Sequence, residues 1–132
     1  MPYQNLQNGL YLVKQRSAGK SVNHYGILDV GNRLNRSYIN SMHPIVIHQT
    51  PPTLRTDWLR DTGNWSVLGQ ITDESMAIQR IGFAAQNPAY DLFGNNCEHF
   101  ARFVATGTRE SKQIQTFVGI LGLAALALLV LR

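Results

Sequence analysis

Residues 94–107 read GNNCEHFARFVATG and place the only cysteine of the chain, Cys97, at the expected start of a helix. The Gly and Asn residues before it are typical of a turn, so the helix is expected to begin at Asn96 or Cys97. Gly107 is a suitable C-terminal cap. The apolar residues between these ends recur on one helical face and are expected to pack on a core: Phe100, Ala101, Phe103 and Val104.

A thiol at the N-terminus of a helix lies beside backbone N–H groups that have no partner within the helix. These groups favour the thiolate, and they also stabilise an oxyanion that forms nearby. Cys97 is therefore a candidate nucleophile. The alternative, from placement alone, is a small buried apolar residue, which lone cysteines commonly are.

Upstream of this helix, short apolar segments bounded by turn residues predict three strands, over residues 9–13, 24–30 and 44–49. A further helix is predicted after Thr72, its expected N-cap, and before Asn87 and Pro88. Its expected buried residues are Met76, Ala77, Ile81 and Ala84.

Two histidines stand near the ends of predicted strands. His24 begins the second strand, and His48 lies near the end of the third. If these strands are adjacent and antiparallel, both imidazoles lie at one edge of the sheet. A general base must reach the nucleophile and be held by a third group, so His24 is the candidate base for Cys97 and His48 the candidate for orienting it. The alternative for each histidine alone is a partly exposed strand residue.

His99 is a poor candidate for the base. It follows Cys97 by two positions, and on a helix that separation turns its side chain about 200° away from the thiol. We expect it to make a structural hydrogen bond instead.

The residues 95–100, NNCEHF, resemble the NCEHF signature of the lecithin:retinol acyltransferase-like family. Residues 24–27, HYGI, resemble the first histidine block of that family, and residues 46–48, VIH, resemble the second. The overall layout, with a polar segment and a hydrophobic run after the NCEHF helix, is similar to that of the small H-Ras-like-suppressor phospholipases and acyltransferases.

The resemblance implies an α+β fold, with a small antiparallel sheet packed on the cysteine-bearing helix, related to papain-like enzymes by permutation of the chain. It implies that Cys97 is the nucleophile, His24 the general base and acid, and His48 the group that orients His24. Tyr25 would line the substrate site. The 24-residue gap between the histidines is longer than the family pattern and indicates an insertion over 33–43; a backbone, Asn or Gln group is the alternative partner for His24.

The C-terminal residues 117–131 form an apolar run of 15 residues, preceded by Arg109 and Lys112 and followed by Arg132. As a helix the run spans roughly 22 Å, and extension back to Ile114 gives about 27 Å against a hydrocarbon core of ~30 Å. We expect a membrane anchor with a basic neck over residues 109–132, attached to a thiol domain over residues 1–108. The alternative is a buried helix of the domain.

The composition limits the class of protein to which the chain can belong. The chain has 132 residues, a formal charge of +4, 15% charged and 44% hydrophobic residues, which fits one globular domain and excludes a disordered polymer. A single cysteine excludes an intramolecular disulfide, and the first residues show no secretory signal pattern, so a cytosol-facing location is expected.

The expected function is that of a membrane-anchored acyl hydrolase or acyltransferase acting on glycerophospholipid esters through a Cys97 thioester. Its partners are a phospholipid membrane, an acyl-donor lipid and an amine, alcohol or water acceptor; no metal, cofactor or nucleic acid is expected. Two alternatives remain open. One is a cysteine peptidase or amidase of the same superfamily, and the other is a non-enzymatic tethered protein like the picornaviral proteins that carry the histidine block and the NC motif.

Overall fold

The computed structural model describes residues 5–16, 23–35, 43–91 and 96–108. Within these ranges the chain forms β1 (Gly9–Arg16), β2 (Asn23–Val30), β3 (Ile45–Thr50), β4 (Thr53–Trp58), a 3-10 helix (Leu59–Asp61), β5 (Ser66–Gln70), α1 (Glu74–Ala85) and α2 (Cys97–Thr106). The strands make one sheet in the order β4-β3-β2-β1-β5, and all neighbouring strands are antiparallel. The predicted α+β class, with an antiparallel sheet and a cysteine-bearing helix, is confirmed.

The predicted C-terminal hydrophobic helix falls in residues 109–132, outside the described residues. Among the helices that are described, none has both the length and the apolar content needed to cross a bilayer. The membrane anchor therefore stays a prediction. Most of the expected insertion, residues 36–42, also lies outside the described part.

The three predicted strands, β3, β2 and β1, form the centre of the sheet, whereas the two strands at its edges, β4 and β5, are not predicted by the sequence pattern. β4 and β5 bury little apolar area, so neither shows the alternation of apolar and polar residues that marks a half-buried strand. Pro51 and Pro52 do end β3, as expected, and they also form the turn of a hairpin, because Thr50 pairs with Thr53.

Side chains of the sheet divide between two buried clusters on its opposite faces. One cluster joins the sheet to the helices, and its central members are Tyr25, Ile27, Ile45, Ile47, Phe100, Ala101 and Val104. The other lies on the far face, away from the helices, and contains Tyr11, Val13, Leu28, Val46, Leu59 and Trp65. The alternation along β2 and β3 follows from strand geometry, since successive side chains point to opposite faces.

Both helices begin with a side-chain cap. Asp73, rather than the expected Thr72, caps α1 by accepting a hydrogen bond from the backbone N–H of Met76. Of the four residues predicted for the buried face of α1, Ala77, Ile81 and Ala84 are buried, whereas Met76 is 38% exposed. Helix α2 begins at Cys97 with Asn96 as its cap and ends at Gly107 in the left-handed conformation, as predicted.

A comparison of glycine substitutions tests the packing of the far face. A Cβ added at Gly26 would lie 2.8 Å from Cγ1 of Val46 and 3.3 Å from the ring of Trp65. We expect Gly26→Ala to lower the free energy of unfolding by about 1–3 kcal/mol, because these neighbours must move. The matched change Gly69→Ala meets nothing within 4 Å on β5 and should be neutral or stabilising by up to about 1 kcal/mol. Urea unfolding measures both, and equal effects would contradict the close packing over Gly26.

Candidate active site

The thiol of Cys97 lies against the main chain of β2. Cys97 is the first residue of α2, and its Sγ lies 3.9 Å from the carbonyl oxygen of Asn23, to which the S–H donates a weak hydrogen bond. The backbone N–H of Tyr25 faces the same sulfur and favours its negative form, as do the backbone N–H groups of Cys97 and Glu98 at the start of α2. The described pairing of β2 with β3 ends at Ile27, so residues 23–26 of β2 lie beyond the last pair with β3. The sulfur lies beside this part of the strand.

Burial governs the protonation of this thiol. Burial raises the pKa of Cys97 above its ordinary value, and the charge of Glu98 adds to the increase. The backbone N–H of Tyr25 and the N–H groups of the helix terminus oppose this rise in pKa without cancelling it. At neutral pH the side chain is therefore a thiol, held beside donors that would favour negative charge near the sulfur.

The two predicted histidines are in direct contact. His24 Nε2 and His48 Nδ1 are 2.7 Å apart, and the two rings meet edge to face. Burial, and next the charge of His48, lower the pKa of His24 to about 4. His24 is consequently neutral at pH 7, which is the state a proton acceptor requires.

Asp57, an acidic residue that the sequence pattern did not reveal, extends the hydrogen-bonded pair of histidines to a row of three side chains. His48 Nε2 lies 2.7 Å from Oδ2 of Asp57 on β4, and Arg55 lies 3.2 Å from the other carboxylate oxygen. Burial alone would raise the pKa of Asp57, but the hydrogen bond and charge of His48, and then Arg55, outweigh it and lower that pKa. The turn signal at Pro51-Pro52 could have indicated Asp57, since a tight hairpin there brings it beside His48.

Trp65 covers the two imidazoles and was also missed. Its ring centroid lies 5.5 Å from that of His24 and 6.1 Å from that of His48, and the side chain is only 3% exposed. The indole N–H donates to the hydroxyl of Thr62, which fixes the ring in place. Trp65 thus excludes water from one side of the histidine pair.

The sulfur of Cys97 contacts the main chain on either side of His24 rather than the ring of His24 itself. The His24 ring belongs to the far face with Trp65, whereas Cys97 packs on the helix side of the sheet. Among the described contacts none joins Sγ to the His24 ring. Catalytic hydrogen bonds often tighten only in the complex with substrate. The ring nitrogen left for the thiol is Nδ1, which is nearer the main chain than Nε2.

Tyr25 lies in the helix-facing core, 7% exposed, rather than in an open pocket. The guanidinium of Arg102 stands 5.3 Å from the centre of its ring, and Arg102 also donates to Glu98, whose side chain is fully buried beside Cys97. This chain of contacts ties the first turn of α2 to β2. The part of Tyr25 at the sulfur is its backbone N–H, and a role of its side chain toward substrate stays a prediction.

His99 has the structural role that its position predicts. Its Nδ1 accepts a hydrogen bond from the backbone N–H of Asn96, while the side chain of Asn96 accepts from the N–H of His99. This reciprocal pair is a capping box, which satisfies the N-terminal donors of the helix and fixes the start of α2. The placement of Cys97 depends on it.

No group of three or more Cys, His, Asp and Glu side chains in the described ranges is arranged to hold a metal ion. The nitrogens of His24 and His48 face each other at hydrogen-bonding distance, so they do not converge on a common point. The row from Asp57 to His24 is therefore a hydrogen-bonded chain.

The lecithin retinol acyltransferase family model matches residues 8–110 of this sequence, and the chain belongs to that family. Among individual proteins it is similar to phospholipase A and acyltransferase 1 of Rattus norvegicus and of Mus musculus. Each is 45% identical over 49 residues, which is 36% of this chain and 29% of the relative. The match thus spans under a third of the length of these relatives.

The environment of His24 predicts how stability depends on pH. We expect the free energy of unfolding to fall as the pH decreases from 6.5 to about 4, because the unfolded chain binds a proton at this histidine and the folded chain does not. The slope from this one proton is at most about 1.4 kcal/mol per pH unit. Asp57, whose pKa is lowered, loses its stabilising contribution only at still lower pH. Urea unfolding at several pH values measures the slope.

The control for this experiment is the exposed histidine at position 43. His24→Gln should flatten the slope between about pH 6.5 and pH 4, whereas His43→Gln should keep it. The same slope in both variants would contradict the buried, neutral state of His24.

Proposed function

We propose that this protein is a thiol-dependent acyl hydrolase or acyltransferase that acts on glycerophospholipid esters through a thioester on Cys97. The observation that carries the proposal is the position of the thiol: it lies at a helix N-terminus, against the main chain that flanks a neutral, hydrogen-bonded histidine. Family membership and the similarity to proteins named phospholipase A and acyltransferase support the same chemistry.

In the proposed first step, His24 Nδ1 takes the proton of the Cys97 thiol as the sulfur attacks the ester carbonyl. The S–C bond forms, and the oxyanion is stabilised by backbone N–H groups at the start of α2. The ester C–O bond then breaks, and the departing alcohol takes the proton from His24. In the second step water, an alcohol or an amine attacks the thioester carbonyl and gives its proton to His24; the S–C bond then breaks, and the departing sulfur takes that proton back from His24.

The protonation states shape this mechanism. The pKa of Cys97 is raised and that of His24 is about 4, so the resting pair consists of a neutral thiol and a neutral imidazole. Complete proton transfer before attack is therefore unfavourable. We propose that the proton moves as the S–C bond forms, when the carbonyl oxygen begins to accept charge from the sulfur and the helix N–H groups begin to stabilise it.

The test of the mechanism is acyl release from phospholipid vesicles by the full chain. Cys97→Ala should lower the rate of fatty-acid release or transfer by at least about 10³-fold, because no nucleophile remains. Intact-protein mass spectrometry should show an acyl adduct on the wild type that is absent from this variant. His43→Gln serves as the control and should retain activity.

Other outcomes would favour other functions. Lipid turnover that persists in Cys97→Ala refutes the thioester. Cleavage of amide or peptide bonds without lipid turnover would favour a peptidase or amidase. Failure of an electrophilic thiol probe to label Cys97 would favour a non-enzymatic tethered protein.

We further propose that residues 109–132 anchor the domain to a membrane, with the catalytic domain on the cytosolic side. The apolar run 117–131 and the flanking cations support this, since an anchored site meets phospholipid at high local concentration. Leu123→Asp together with Leu128→Asp should remove most of the protein from sedimenting or floating vesicles. Leu68→Asp, on exposed β5, is the matched control and should leave binding unchanged.

A loss of thermal stability with unchanged vesicle binding in the double variant would instead identify residues 117–131 as a helix of the domain core. In that case the two substitutions lower the free energy of unfolding and leave the partition into lipid unchanged. The two measurements together separate the anchor from the core helix.

A further inference from the structure

The row His24, His48 and Asp57 has a direction that follows from hydrogen-bond chemistry. An ionised carboxylate can only accept hydrogen bonds, so His48 Nε2, 2.7 Å from Asp57 Oδ2, must carry a proton and donate it. This direction requires His48 to be neutral, because a cationic His48 would donate from Nδ1 to His24; in the neutral ring Nδ1 has no proton and can only accept. The donor to it must be His24 Nε2, 2.7 Å away.

The same reasoning assigns the position of the proton on the His24 ring. A neutral imidazole carries one proton, and in His24 the contact with His48 places that proton on Nε2. The lone pair of His24 is thereby placed on Nδ1, the nitrogen nearer the main chain of β2, where the Cys97 sulfur lies. The carboxylate two residues away in the row thus decides which nitrogen of His24 can accept a proton.

We propose that Asp57 is a positioning residue for catalysis, which holds His24 in the tautomer that can deprotonate Cys97. This inference rests on the proposed thiol chemistry and deepens it. Asp57 touches neither the thiol nor the scissile bond; it acts through His48. The sequence pattern assigns no such residue, since His48 alone was expected to orient His24.

The surroundings of Asp57 suit this role. The groups that face the row are Arg55 on β4, which binds the outer oxygen of Asp57 at 3.2 Å, and Trp65, which packs on both imidazoles. Burial would raise the pKa of Asp57, but the hydrogen bond and charge of His48, and then the charge of Arg55, lower it, so the carboxylate stays ionised. Trp65 keeps water, a competing donor and acceptor, from one side of the two rings.

The experiment compares the wild type with Asp57→Asn by ¹⁵N NMR of the histidine rings. In the wild type His24 should carry its proton on Nε2. The amide of Asn offers an N–H as well as an oxygen, so it no longer imposes one tautomer on His48, and the Nδ1–H form of His24 should increase. The rate constant kcat for acyl transfer should fall by about 10²- to 10⁴-fold with little change in KM, the size of effect known for a misoriented catalytic histidine.

Asp61→Asn is the matched control, because Asp61 is an exposed aspartate four positions along the chain. It should change neither the His24 tautomer nor kcat. An unchanged tautomer and unchanged kcat in folded Asp57→Asn would overturn the inference. If that variant does not fold, the wild type decides alone: a proton on His24 Nδ1 would overturn the inference, and a proton on Nε2 would support it.

The tautomer measurement needs no lipid, so the two proposals fail separately. If the wild type turns over no lipid but its His24 tautomer depends on Asp57, the proposed substrate is wrong and the positioning role of Asp57 is supported. If lipid turnover is unchanged in Asp57→Asn, the proposed substrate is supported and the positioning role of Asp57 is wrong. The rate of Cys97 alkylation by iodoacetamide, expected to fall in Asp57→Asn at neutral pH, gives a second readout that does not involve the natural substrate.

Discussion

The packing of α2 across β2 and β3 is the contact on which the site depends. Phe100, Ala101 and Val104 are buried against isoleucines of the sheet, and this apolar contact sets the height of the helix above β2. The capping box at Asn96 and His99 sets where the helix begins. Together they leave little freedom for the sulfur of Cys97, which packs at the edge of the core and contacts main-chain groups of β2.

The side chains of the proposed site come from both faces of the sheet. The helix side carries the thiol of Cys97 and the backbone N–H groups beside it, while the far face carries the hydrogen-bonded row of His24, His48 and Asp57. The two meet where β2 continues beyond its last pair with β3. A site of this kind needs no deep cleft through the domain, because the two sets of groups reach the same short piece of strand from opposite directions.

The sequence predicted the parts of the molecule that are buried and periodic. The two helices, β1 to β3 and the thiol at the start of α2 follow from apolar spacing and capping residues, and the contact of His24 with His48 follows from strand pairing. The edge strands could not be predicted, since they bury too little to show a pattern. Asp57 lies on such an edge strand, and only the turn at Pro51-Pro52 pointed to its place beside His48. Trp65 lies before β5, and its approach to the histidines requires the tertiary fold.

The supports of the sulfur on β2 are a carbonyl oxygen of Asn23 and an N–H of Tyr25, both atoms that every amino acid except proline provides. A change of side chain at position 23 therefore leaves the carbonyl contact with the sulfur available. At position 25 the same holds only for a residue that also fills the core beside Arg102, because the Tyr25 ring is buried there.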